Sequence, residues 1–203
     1  TISHMIKNDK INDFKQENLN EEFFNLPKKQ NRVSFEEIAI TELFKSPIKT
    51  GPYHVSGALD NGLTPLVSCV SENGGFEGLF EIDIKNIVKN AITIASDGMP
   101  LTSFYHYYNF TAKDNVLICY PNKKYRFTTL LFFVTQLNGL RWRFSYGRKC
   151  YENKIHKIKI FLPFQKKKLD EDFIENLFKS LDSWKLLEKL VKEEIVVKNQ
   201  KKK

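Results

Sequence analysis

Between residues 46 and 164 the chain alternates short apolar runs with clusters of Gly, Asn, Asp and Pro, the spacing of strands joined by turns. Leu66-Val67-Ser68-Cys69-Val70 predicts one strand and Leu79-Phe80-Glu81-Ile82 another. Ala91–Ala95 and Asn115–Tyr120 predict stronger ones, because β-branched residues fill them and turn residues bound them. Asn73-Gly74-Gly75 and Ser96-Asp97-Gly98 supply the turns. Thr128–Leu140 predicts a helix, apolar at Leu130, Leu131, Val134 and Leu137 and stopped by Asn138-Gly139. Lys157–Leu162 alternates lysine with large apolar residues, the period of a half-exposed strand. Ser34-Phe35-Glu36-Glu37 has the form of a capping box, a helix-start signal opening a short segment that runs to Leu43-Phe44.

The pattern changes after Leu169. Apolar residues fall at Phe173, Leu177, Leu181, Trp184, Leu187, Val191 and Ile195, with spacings of 4, 4, 3, 3, 4 and 4 and no Gly or Pro between them. These positions make one stripe along a helix of about 27 residues, or about 40 Å at 1.5 Å per residue. Lys, Glu and Asp cover its other faces, so it is expected to project and find another helix. Folding back onto the core is the competing arrangement. The chain thus divides into five parts. Residues 1–5 read as a cloning scar around Ser3-His4-Met5. Residues 6–33 form a polar arm or linker whose apolar cluster is Phe23, Phe24 and Leu26. Residues 34–168 form a mixed-sheet α/β (α+β) domain, residues 169–198 the long spacer or dimerisation helix, and residues 199–203 a disordered basic tail.

Composition narrows the setting. With 203 residues, 41% apolar and 13% aromatic, the chain can bury a full single core. Cys69, Cys119 and Cys150 are odd in number and lack ligand spacing, which argues against disulfides and structural zinc and for a reducing, cytoplasmic environment. No apolar run reaches the roughly 20 residues of a membrane span, and no signal peptide is visible.

Charge changes the picture most. The formal net charge is +8, yet Pro121–Lys168 holds thirteen Lys/Arg against the single acid Glu152, a net of +12, so the remaining residues sum to −4. A polyanion is the natural partner of so focused a charge, although a solvated basic face without a partner also fits. Four of the five arginines, Arg126, Arg141, Arg143 and Arg148, lie in this segment; Arg32 is the other. The planar guanidinium fork binds phosphate or guanine bidentately, which lysine cannot do. Lys123, Lys124, Lys149, Lys154, Lys157 and Lys159 suit backbone phosphates. Read as a strand, Arg141–Tyr146 places Trp142, Phe144 and Tyr146 on one face, which favours Trp142 and Phe144 as core; Tyr146 stays a candidate for nucleic acid.

Catalytic signatures are missing. The seven prolines are never adjacent, so the Pro-Pro of an amino-methyltransferase site cannot be present. Gly74-Gly75-x-x-Gly78 has the wrong spacing for a phosphate cradle. His54, His106 and His156 sit in unrelated contexts and suggest no metal site, and no nucleophile elbow is present. Asp83-Ile84-Lys85 is the one nuclease-like fragment, and it defines an alternative in which the chain is a Mg-dependent nuclease. A second alternative is a non-specific single-stranded nucleic-acid binder that stacks bases on Trp142 and Tyr146. The expectation is a non-catalytic chain without metal or cofactor.

The order of these segments resembles the target recognition domains of restriction–modification specificity subunits. Phe35-Glu36-Glu37-Ile38 through Leu43-Phe44 matches their opening block, and Pro65-Leu66-Val67-Ser68 with Asn73-Gly74-Gly75-Phe76-Glu77-Gly78 the next. Ala91–Gly98 with Thr102-Ser103-Phe104-Tyr105 follows, then Asp114-Asn115-Val116, Phe144–Lys149 and Lys157–Pro163. The resemblance covers roughly residues 35–200. It implies a sequence-specific reader of double-stranded DNA that directs an adenine methyltransferase and a nuclease to a target site. The trailing helix would be the conserved spacer that docks the DNA methyltransferase subunit. S-adenosylmethionine and Mg would be confined to the partner subunits, which include a restriction subunit. Complete type I specificity subunits carry two recognition domains and two spacers, whereas this chain has one of each. It would therefore be a half-subunit, a fragment, or the recognition module of a fused or two-subunit system; a half-subunit would pair with a copy of itself through the Phe173–Ile195 stripe.

Overall fold

In the computed structural model, residues 33–54, 57, 59–145, 147–185 and 188 are described. Among these the strands form three small sheets. In the first, β1 (Ser34–Ala39) pairs antiparallel with β9 (Lys159–Gln165), whose other edge takes β10 (Lys168–Leu169). The second has the order β2-β8-β5-β6, built from Lys49–Thr50, Val116–Cys119, Ala91–Ala95 and Ser103–His106 and antiparallel throughout. In the third, β3 (Asn61–Val67) lies between β4 (Phe76–Phe80), antiparallel, and β7 (Thr111–Ala112), parallel. Three helices complete the body: α1 (Phe127–Gly139), α2 (Glu152–Ile155) and α3 (Glu171–Ser180).

The central sheet is buried on both faces, which is why β8, and β5 apart from Thr93, are apolar without alternation. Ile92, Ile94, Leu117 and Cys119 face one cluster with Leu130, Phe133 and Leu137 of α1 and Ile160 and Leu162 of β9. Ala91, Val116 and Ile118 face a second cluster with Val67, Val88, Phe110 and Ala112. Helix α1 is therefore wedged between the first and second sheets. Its first turn has no cap from its own N-cap residue, Arg126. Instead Glu171 of α3 reaches across: its Oε2 accepts from the Arg126 backbone N–H at 2.8 Å and from Thr129 Oγ1 at 2.6 Å. A carboxylate at this position satisfies a free N–H and complements the helix dipole.

Sequence-based expectations fail at both ends of the domain. Ser34–Ala39 is a strand and does not start a helix. The Ser34 hydroxyl has two acceptors within reach of its one proton, the Phe164 carbonyl at 3.4 Å and Glu36 Oε1 at 3.5 Å, and β1 is held in register along β9 from Ser34↔Phe164 to Ala39↔Lys159. Six residues of ladder outweigh a two-residue capping signal.

The second correction concerns the long helix, which is neither continuous nor projecting where it is described. Helix α3 ends at Ser180, and Leu181 is extended at φ −77°, ψ 137°. The Ser180 hydroxyl donates to the Leu177 carbonyl at 2.7 Å, competing with the helical ladder, and Asp182 and Ser183 follow, residue types that favour caps and turns. Ile174 is fully buried, and Leu177 and Phe178 pack against the same cluster, so the first ten residues belong to the body. Phe173, Leu181 and Trp184 are half-buried. Leu187, Val191 and Ile195 lie outside the described residues, as do the parts of the chain assigned to a scar, to an arm (apart from Val33) and to a basic tail.

One buried histidine gives the fold a pH dependence. His106 on β6 shares hydrogen bonds with Thr93 Oγ1 at 2.8 Å and Tyr108 Oη at 3.0 Å, and its ring centroid lies 4.5 Å from that of Phe110. Burial pushes its pKa down to about 3, so it is neutral in the native state. An unfolded histidine titrates near 6.5, so between those values the unfolded chain binds the extra proton and stability rises with pH. The contribution is complete above about pH 6.5 and is lost as the pH falls, by up to roughly 1.4 kcal/mol per unit. Urea midpoints should drop between pH 7 and pH 5 and should drop much less in His106→Gln. Equal slopes in the two proteins would show that this histidine is not the cause.

Candidate nucleic-acid interface

The basic segment is divided among the two ends of α1, a helix of thirteen residues and so about 20 Å long, and the β9–β10 region. In that region exposed Lys157 precedes β9, and Lys159 pairs with Glu37 of β1 at 3.4 Å. At the N-terminal end of α1, Lys123 and Lys124 are exposed, Lys123 lying 5.1 Å from the Tyr125 ring centroid. Arg126 beside them is committed to the fold: Nη1 is 2.6 Å from Asp172 Oδ1 and 2.7 Å from Glu175 Oε2 on α3. The two carboxylates raise the guanidinium's already high pKa, Asp172 most strongly. Arg126 is thus a structural cation whose partners already offset its charge. Arg126→Ala should lower stability by about 1 kcal/mol or less, because the pairs are partly solvated, and should leave nucleic-acid affinity unchanged in a salt titration. A marked loss of affinity without loss of stability would return Arg126 to the interface.

The other end of α1 carries a different arrangement. After Gly139 the chain makes a single 3-10 turn, Arg141–Arg143, in which Arg143 N–H donates to the Leu140 carbonyl and Phe144 N–H to that of Arg141. Sequence alternation predicted a strand here, and the turn changes which side chains are available. Leu140 and Phe144, four residues apart, pack toward the core, while Trp142 between them is 80% exposed. The assignment of Trp142 to the core is therefore wrong, and that of Phe144 holds in part. A tight turn follows, closed by Arg148 N–H donating to the Ser145 carbonyl at 2.8 Å. Arg143 and Arg148 are exposed and Arg141 is half-exposed. Among the described residues, none of the three makes an ion pair with an acid; the Arg141 guanidinium donates to Met99 Sδ at 3.4 Å. Tyr146 lies outside the described residues.

This loop is tied to the central sheet at three points. The Asn138 side chain donates to the Ser103 carbonyl at 3.0 Å and accepts from its N–H at 2.9 Å, fastening the end of α1 to the start of β6. Cys150 N–H donates to the Ser96 carbonyl at 3.0 Å. Lys149 Nζ donates to Asp97 Oδ2 at 2.5 Å. That ammonium and the Gly98 N–H hold the Asp97 carboxyl below the usual carboxylate range, and Asp97 in turn raises Lys149. Gly98 is at φ +64°, and a Cβ there would come within 3.2 Å of the Cys69 carbonyl, so the turn needs glycine. Beyond it, Tyr151 is exposed, with the ammonium groups of Lys149 and Lys154 each 5.9 Å from its ring centroid. Lys154 Nζ also donates to the Lys149 carbonyl at 2.8 Å.

Of the basic candidates, Arg141, Arg143, Arg148, Lys149 and Lys154 thus come together on one loop and its flank, whereas Lys123, Lys124 and Arg126 do not join them. Lys149 is tied to a carboxylate and offers less charge than its sequence position suggests. Reading Asn138 as a helix stop and Asp97 as a turn residue missed their role as anchors, because no local pattern signals a partner 35 or 52 residues away. The nuclease fragment is also structural: Asp83 caps a 3-10 turn, taking the Lys85 N–H at 3.2 Å and its ammonium at 2.8 Å. Among the described residues no three His, Cys, Asp or Glu side chains gather in a way that could hold a metal, and no helix is long and apolar enough to cross a membrane.

No protein-family model and no curated protein matches the chain. Solved structures are similar. The type I restriction–modification S subunit from M. genitalium matches over 82% of this chain and 44% of its own, with 21% identity and a TM-score of 0.51. The HsdS subunit from Thermoanaerobacter tengcongensis matches over 84% and 42%, with 11% identity and a TM-score of 0.50. A chain from a structure of type I restriction–modification complex assembly and conformational transition matches over 90% and 47%, with 13% identity and a TM-score of 0.56. The chain spans less than half the length of each. At these identities the likeness establishes the fold, a mixed α/β arrangement shared with part of those chains.

Proposed function

We propose that this chain is a sequence-specific double-stranded DNA recognition subunit, or half of one, in a restriction–modification system. It would direct an adenine methyltransferase and a nuclease, both in partner subunits, to the target site. The observation that carries the reading is the loop Arg141–Arg148, which presents three arginines without acid partners among the described residues, on a fold shared with S subunits. A surface of this kind would position itself through phosphates and read base edges with guanidinium forks. The chain itself would be non-catalytic, with S-adenosylmethionine and Mg bound elsewhere in the complex; no observation favours the nuclease alternative. Because the chain is under half the length of the S subunits it matches, a second recognition unit would be needed for a bipartite site. That unit would lie in the same longer protein or in a copy of this chain, the copy pairing through the stripe that runs past Trp184.

The test is direct binding of the purified chain to duplex and single-stranded DNA of the same sequence. The reading predicts preference for duplex, with log affinity falling linearly in log salt by about 0.9 per phosphate neutralised. Preference for single strands would favour the stacking alternative. Cleavage of plasmid with Mg, abolished by Asp83→Ala, would overturn the non-catalytic assignment.

A further inference from the structure

We propose that Trp142 is a wedge that enters the base stack of the bound duplex, so that the chain deforms DNA as well as contacting it. The proposal rests on the DNA-binding reading above. Trp142 is 80% exposed, one of the largest apolar surfaces the described residues leave in water. The fold does not need it there: Leu140 and Phe144 pack against the core cluster, which Trp142 does not join. Its mount is rigid, since the 3-10 turn closes through two backbone hydrogen bonds of 3.0 and 2.9 Å and the preceding helix end is fixed to Ser103.

The neighbours of the indole decide what it meets. Arg141 and Arg143 flank it in sequence within one turn, with no acid partner among the described residues. With both guanidinium groups on DNA, the indole lies against the duplex. An aromatic ring in that position gains most by stacking on a base or entering a base step, which partially unstacks the duplex and kinks it. An apolar protein partner could also cover a tryptophan, but two flanking cations favour a polyanion.

The experiment uses the full chain carrying Trp184→Phe, which leaves Trp142 as the one tryptophan of the two in the sequence. The probes are a mixed-sequence duplex and a series in which a single mismatch is moved through it. Stacking predicts quenching of indole fluorescence on duplex binding. It also predicts tighter binding, by about ten-fold, where the mismatch lies at the wedge and the unstacking cost is already met. In the otherwise unchanged chain, Trp142→Ala should weaken duplex binding about ten-fold, abolish the mismatch preference, and leave the salt slope and thermal midpoint unchanged. Trp142→Phe should restore part of the affinity. Salt-dependent duplex binding with no quenching, and with affinity and mismatch response unaltered by Trp142→Ala, overturns the wedge and leaves the DNA reading standing. Quenching only on adding the methyltransferase subunit without DNA also overturns it, because Trp142 would then be a protein contact. Absence of any duplex binding overturns both.

Discussion

Arg143→Ala combined with Arg148→Ala should lower duplex affinity about a hundred-fold or more while leaving thermal stability unchanged. Each bidentate base contact contributes about 1–3 kcal/mol of discrimination, and a contact to phosphate also removes about one unit from the salt slope. Both side chains are exposed and unpaired with acids among the described residues, so their removal uncovers no buried partner. The single variants separate the two roles. An arginine on a base edge should relax sequence preference at one position, whereas an arginine on phosphate should weaken all sequences alike. Fluorescence anisotropy at several salt concentrations measures both. Unchanged affinity and slope in the double variant would place the DNA face elsewhere, with Lys123 and Lys124 at the far end of α1 as the next candidates.

The second large effect is on the fold that carries this loop. Phe133→Ala should cost about 3–5 kcal/mol, a substantial share of the 5–15 kcal/mol typical of a domain. Phe133 is fully buried and packs edge-on against Phe44, at 6.2 Å between centroids, and Tyr125, at 5.1 Å. It belongs to the cluster shared by α1, the central sheet and β9. A cavity there loosens the contact that orients α1, and with it the arginine turn. Urea denaturation should show a lower midpoint, and Phe133→Leu should recover most of the loss. A cost below about 1 kcal/mol, the range of tolerated volume-conserving changes, would mean that α1 is not the keystone of the core.

The legible and illegible parts of this molecule differ by the range of the forces involved. Strands β5 and β8 and helix α1 were evident because burial on both sheet faces, or along one helix stripe, imposes a residue pattern within a few positions. Strand β1 was hidden because its partner β9 lies 120 or more residues away in sequence, while a local Ser-x-x-Glu signature pointed to a helix. The stripe from Phe173 to Ile195 was real as a pattern, and Phe173, Leu177, Leu181 and Trp184 are all half-buried. Periodicity alone could not reveal that Ser180 would bond back to Leu177 and end the first helix.

The same reasoning applies to the site. Charge counting located the basic block, and residue type separated arginine from lysine. Neither could show that Glu171, Asp172 and Glu175 would meet Arg126 and its neighbours while Arg143 and Arg148 stayed free of acids. Trp142 is the clearest case. Alternation places it with Phe144, but a helical turn places Phe144 with Leu140 and leaves Trp142 outside. The side chain that strand geometry assigns to the core is therefore 80% exposed and open to a ligand.

The central claim is that the Arg141–Arg148 loop reads a DNA sequence. It is tested most directly by selecting bound duplexes from a random library with the full chain, alone and with a methyltransferase partner, beside the Arg143→Ala/Arg148→Ala variant. The account predicts an enriched motif of a few fixed bases that loses definition in the variant. No enrichment under either condition, or an identical motif from the variant, would contradict it.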